Sequence, residues 1–153
     1  MQERFLSFYG KVKSDHAPPA LGLWLLHGDE PILENWLIDA LKPRWQQQGQ
    51  LIKRMELYSV KSWHDVISEL SALDLFAGSL ALIITGKHKP DNAALDALTR
   101  FAKDAQQGTN ANHLLWCLPK QDKKSLATKA IKLFDNQGII IDATVYNEKH
   151  RLS

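Results

Sequence analysis

Two segments, LALIIT at 80–85 and HLLWCL at 113–118, are apolar at nearly every position, and they constrain this chain more than any other feature. A strand with one face in water alternates apolar and polar side chains. An unbroken apolar run needs cover on both faces, as a central strand of a parallel sheet has from the helices above and below it. Three further runs of strand-forming residues accompany them: GLWLLH at 22–27, LIKRMEL at 51–57 and GIIID at 138–142. The more mixed LIKRMEL belongs nearer an edge.

Helical patterns fill the intervals. Ile32, Leu33, Trp36, Leu37, Ala40 and Leu41 recur at helical spacing, and Pro43 is expected to break or kink that helix. Ser62 with Asp65 has the form of a capping box, opening a short helix whose Val66, Ile67 and Leu70 face inward. Ala94, Leu95, Leu98, Phe101, Ala102 and Ala105 make a third apolar stripe; Leu126, Ala127, Ala130, Ile131 and Phe134 make a fourth, stopped by Gly138. Met1 to about Ser14 reads as an added amphipathic helix with Phe5, Leu6, Tyr9 and Val12 available to pack, and Pro18 and Pro19 end it. The alternation specifies an α/β class: a doubly wound, mainly parallel five-stranded sheet with helices on both faces.

A length of 153 residues suits one domain that buries its own core. No apolar run is long enough to cross a bilayer, and MQERFLSFYGKVKSDH lacks the apolar core of a secretory signal, so a cytoplasmic location without membrane contact is expected. The single cysteine, Cys117, excludes an intramolecular disulfide, and within HLLWCL it reads as a buried, inert thiol. A net charge of +2 is too small to demand nucleic acid as a partner.

WLLHGDEPIL, from Trp24 to Leu33, is an apolar strand feeding a turn and helix where a nucleotide-binding protein would carry its phosphate loop. That loop needs glycines whose neighbouring N–H groups converge on phosphate, a lysine for charge and a hydroxyl for magnesium. Only Gly28 remains, and Asp29 and Glu30 stand at the helix start, where carboxylates suit the dipole, are expected to cap the helix and would repel phosphate. An ATPase also needs an apolar strand ending in acidic residues to hold magnesium. LALIITGKHKP ends instead in Thr85, Gly86 and Lys87.

Other constellations are equally sparing. The histidines at 16, 27, 64, 88, 113 and 150 show no pair at metal-ligand spacing, so no metal site is expected. His27 ends the first long strand, where doubly wound sheets bind ligands; the plainer reading is a histidine bonded within the turn. Lys120, Lys123, Lys124, Lys129 and Lys132 read as the solvated face of the fourth helix, with assistance to a DNA-bearing complex as a lesser alternative. SALDLFAGSL, at 71–80, places Leu73, Leu75 and Phe76 between a capped helix and a buried strand. These side chains either fold back into the core or form an apolar plug for a partner's pocket, where burial of each would contribute roughly 1.5 to 3 kcal/mol.

The order and spacing of WLLHGDEPILENWL, SWHDVISELSALDLFAGSLALII, NHLLWCLPKQDKKSLATKAIKLF and GIIID behind an amphipathic N-terminal helix resembles the N-terminal domain of the delta subunit family of bacterial DNA polymerase III, the clamp-loader component that opens the sliding clamp. LLHGDEPIL stands for that family's LLxGxEPxLL segment and KQDKKS for its KxDKR-like turn. The resemblance implies an AAA+ type nucleotide-binding fold that has lost nucleotide binding at His27, Gly28, Asp29 and Glu30, with no cofactor and no catalysis of its own. It implies that Leu75 and Phe76 enter a pocket on the clamp while Leu73 presses near its subunit interface. The implied partners are the clamp (the beta subunit) and, in a full-length protein, other loader subunits, with DNA met only through the assembled complex. Because that family carries two further domains, residues 1–145 are expected to be the AAA+-like domain and 146–153 the start of a linker or truncated second domain. A small-molecule or nucleotide-binding protein using the crevice near His27, Gly28 and Lys87 is the alternative.

Overall fold

The computed structural model describes residues 2–13, 22–28, 30–71, 79–107, 112–119, 124 and 128–143. In chain order the elements are β1 (Gln2–Arg4), α1 (Phe5–Lys13), β2 (Leu23–Gly28), α2 (Pro31–Gln47), β3 (Gln50–Glu56), α3 (Ser62–Ser71), β4 (Ser79–Thr85), α4 (Asn92–Gln106), β5 (His113–Pro119), α5 (Lys129–Gln137) and β6 (Ile139–Ala143). They form a parallel sheet in the order β1-β6-β2-β5-β4-β3. The five expected strands are all present, with LALIIT and HLLWCL in its interior and LIKRMEL at an edge. A sixth, the short β1, extends the other edge by pairing Gln2 with Ile140.

Alternation of side chains along the strands divides the core into two layers. Leu23, Leu25, Leu82, Ile84, Leu114 and Trp116 face α3, α4 and α5. Trp24, Leu26, Ala81, Ile83, Leu115 and Cys117 face α1 and α2. The division follows from handedness. Crossovers from β3 to β4, β4 to β5 and β5 to β6 run one way along the sheet, and the crossover from β2 to β3 runs the other, so right-handed connections put α2 on the opposite face.

Three local expectations are corrected. The N-terminal segment opens with strand β1 before α1, and Phe8 with Phe5 and Val12 enters the core, leaving Leu6 76% exposed. Leu6 is on the solvent side because the register of α1 on the sheet is set by the larger Phe8 ring, which meets Trp24 edge-on. Pro43 does not end α2, which runs on to Gln47. A proline inside a helix costs about 3 kcal/mol. Burial of the Trp45 side chain offsets roughly 1.5 to 3 kcal/mol of this, and Arg44 adds two hydrogen bonds to the Val12 carbonyl at 3.1 and 2.8 Å. The buried stripe of α2 is therefore Leu37, Ile38, Leu41 and Trp45, while Ile32 and Trp36 are about half exposed. Ser62, finally, does not act as a forward cap: its Oγ accepts from the Tyr58 and Ser59 amides behind it, because a turn at Ser59 to Lys61 already leads into α3.

Candidate functional site

Neighbouring strands β2 and β5 hand the chain to helices on opposite faces, which opens a crevice at their C-terminal ends, the position where doubly wound sheets bind ligands. Its volume is about 650 Å³, and Gly28, Glu30, Pro31, Glu34, Thr85, Lys87, Cys117 and Ala143 are among the residues lining it. Gly28 and Lys87 both line it, whereas His27 does not. By strand alternation it shares the face of Leu23 and Leu25; its ring is buried, and Nδ1 has no hydrogen-bond partner among the described residues. Burial lowers its pKa, with the Asp142 carboxylate opposing.

Carboxylates and a proline stand at the α2 end of the crevice. Pro31 occupies the first turn of α2 and has no N–H to offer. Glu30 precedes it with extended backbone, and its side chain makes no capping hydrogen bond, contrary to the expected capping role; a glutamate is too long to bend back onto the helix amides as aspartate does. Glu34, one turn on, brings a second carboxylate, whose Oε1 is buried without a hydrogen-bond partner among the described residues. The Glu34 carboxylate also acts on the Cys117 thiol, whose pKa burial pushes well above the ordinary range, with the charge and hydrogen bond of Glu34 adding to it. Cys117 is therefore a protonated, buried thiol, as the sequence indicates. Asp29 lies outside the described residues.

Gly28 has a packing explanation. A Cβ there would meet the Ala143 carbonyl oxygen at 2.6 Å, so the glycine permits β2 and β6 to close at their ends. On the other side of the crevice the turn after β4 is held rigidly. The Trp116 indole donates to the Gly86 carbonyl at 3.0 Å and the Trp63 indole to the His88 carbonyl at 2.7 Å. The two indoles meet edge to face with centroids 4.8 Å apart. Gly86 has φ +149°, and a Cβ there would meet Leu57 at 2.7 Å. Lys87 is exposed at the mouth.

Leu73, Leu75 and Phe76 fall in 72–78, outside the described residues, as do Lys120 and Lys123. Lys124, Lys129 and Lys132 are exposed. Among the described residues no group of three or more potential ligands could hold a metal ion, and no helix is long and apolar enough to cross a membrane.

No protein-family model matches the sequence, and no curated protein matches it. The fold does have solved counterparts. A Bacillus subtilis DNA clamp loader delta protein superposes with a TM-score of 0.61 at 10% identity, over 95% of this chain and 44% of that one. A chain of the HORMA, CdnC and Trip13 complex of E. coli MS115-1 superposes with a TM-score of 0.56 at 15% identity, over 97% of this chain and 56% of that one. This chain spans about half the length of either, and at these identities the likeness is one of fold.

Sequence reasoning missed Glu34, Trp63 and Trp116. Glu34 had a signal, since it lies one helical turn beyond Glu30 and so shares its face. The indoles had none, because a tryptophan at a core position reveals nothing about where its N–H points.

Proposed function

We propose that this chain is a protein-binding module of DNA replication: the AAA+-like domain, residues 1–145, of a clamp-loader subunit of the delta type, with 146–153 beginning a linker or second domain. The observation that carries the reading is a crevice in the ligand position of a nucleotide-binding fold, occupied by Glu30, Pro31 and Glu34, on a chain whose fold is shared with a clamp loader delta protein. Such a scaffold acts by contact. Leu75 and Phe76 enter an apolar pocket on the sliding clamp, and Leu73 presses beside its subunit interface. Large apolar side chains placed in a pocket are the usual carriers of interface affinity.

Opening of the ring then needs no ATP at this subunit. A module that binds the open clamp more tightly than the closed one shifts the population toward the open form by that difference alone. Energy from ATP enters through other loader subunits, and DNA is met through the assembled complex. The test is a Leu75→Ala, Phe76→Ala double variant, measured for binding to immobilised bacterial sliding clamp and for folding by circular dichroism. The expected result is loss of binding with the spectrum unchanged; undiminished binding overturns the proposal.

A further inference from the structure

We propose that the crevice at the C-terminal ends of β2 and β5 binds a small organic cation, a guanidinium group on a short apolar arm, with Glu34 as the residue that meets its charge. Nothing in this site depends on Leu73, Leu75 or Phe76.

The crevice holds about 650 Å³, which is the size of a small-molecule site and far more than a metal ion or a single water needs. Leu26, Pro31, Leu118 and Ala143 give it apolar walls. Into that setting α2 brings Glu34, whose Oε1 is buried and has no hydrogen-bond partner among the described residues. A buried polar atom in that state is uncommon in a folded chain, because it forfeits its bonds to water and gains none in return. The Cys117 thiol, kept protonated by burial, already donates to the same carboxylate, so the fold supplies one donor and leaves a second to be found. Glu30, one helical turn earlier, lines the same side of the crevice and is exposed.

Charge selects the class of ligand. Two carboxylates on one wall attract a cation and repel an anion. A hard metal ion is a poor match, since magnesium and calcium take about six oxygen ligands or more, and among the described residues no group of three or more potential ligands could hold one. Among organic cations, guanidinium is more weakly hydrated than ammonium and gives up less on entering an apolar cavity. Its planar fork also offers paired donors to a single carboxylate. The apolar arm suits the Leu26 and Leu118 walls. Lys87 at the mouth and Arg54, whose charge reaches the Cys117 thiol, are both exposed and screened by water, so they weigh less than the buried oxygen of Glu34.

The experiment follows amide chemical shifts of the whole chain as butylguanidinium is added, with butylurea as the neutral probe of similar shape. Saturable shifts at Gly28, Thr85 and Gly86 are expected with butylguanidinium at millimolar concentrations and none with butylurea. In Glu34→Gln the affinity is expected to fall about 10-fold. An equal response to the urea and the guanidinium overturns the proposal, and that comparison needs no variant. Undiminished affinity in a folded Glu34→Gln chain overturns it too, as does the absence of saturable shifts with butylguanidinium. A capped peptide bearing one arginine separates the two sources of a guanidinium. Tighter binding of the peptide than of butylguanidinium would move the site to a partner protein's side chain and overturn its assignment to a small molecule; weaker binding of the peptide supports that assignment.

Discussion

Inside the core the indole nitrogen of Trp24 donates to Nδ1 of His113 across 3.1 Å, and the His113 ring lies against both Trp24 and Trp45, with centroids 5.9 and 5.7 Å away. An accepting Nδ1 is an unprotonated one, so the histidine is neutral in the fold. Burial pushes its pKa down to about 4. An unfolded chain returns it to about 6.5.

The pH dependence follows from that difference. The unfolded state takes up the proton first, so stability is complete above pH 6.5 and declines as the pH falls toward 4, by about 3 kcal/mol in total. The buried His27, also lowered, adds in the same direction. Urea unfolding at several pH values between 7.5 and 4.5 measures this decline, and His113→Gln should remove much of it. An equal slope in the variant would mean that other groups carry the acid sensitivity.

Gly28→Ala separates packing from ligand chemistry. With the Ala143 backbone where the Cβ must go, the substitution should destabilise the fold by about 1 to 3 kcal/mol, whatever small molecules are present. The measurement is the denaturation midpoint with and without magnesium ATP. A variant as stable as the parent would contradict the close approach of β2 to β6.

The crevice should also fail to hold a triphosphate. Glu30 and Glu34 oppose its charge, and Pro31 withholds an amide, so equilibrium dialysis with labelled ATP and magnesium is expected to show no saturable binding at millimolar concentrations. Saturable binding abolished by Gly28→Ala would instead favour a nucleotide-binding protein.

Periodicity made most of the fold legible. Strands buried on both faces must be apolar throughout, which is why LALIIT and HLLWCL declared a parallel interior, and the mixed LIKRMEL its edge. Errors arose where a pattern was right and its phase was not. Within α2 the apolar residues outnumber those the core can accept, so sequence spacing alone did not distinguish the Leu37, Ile38, Leu41 and Trp45 face from the exposed Ile32 and Trp36. Pro43 misled for a related reason, since its local cost is outweighed by contacts that Trp45 and Arg44 make with residues distant in the chain.

The sequence by itself determined the alternation of strand and helix, the absence of a lysine and a hydroxyl from Gly28 to Glu30, and the buried state of Cys117, because each depends on residues close in the chain. Tertiary structure alone decided that His27 turns away from the crevice while Glu34 turns into it, that two indoles hold the Gly86 and His88 carbonyls, and that Asn112 reaches Leu70 and Leu80. Those relations join residues that only the folded sheet brings within hydrogen-bonding distance, and composition carries no record of the direction in which a donor points.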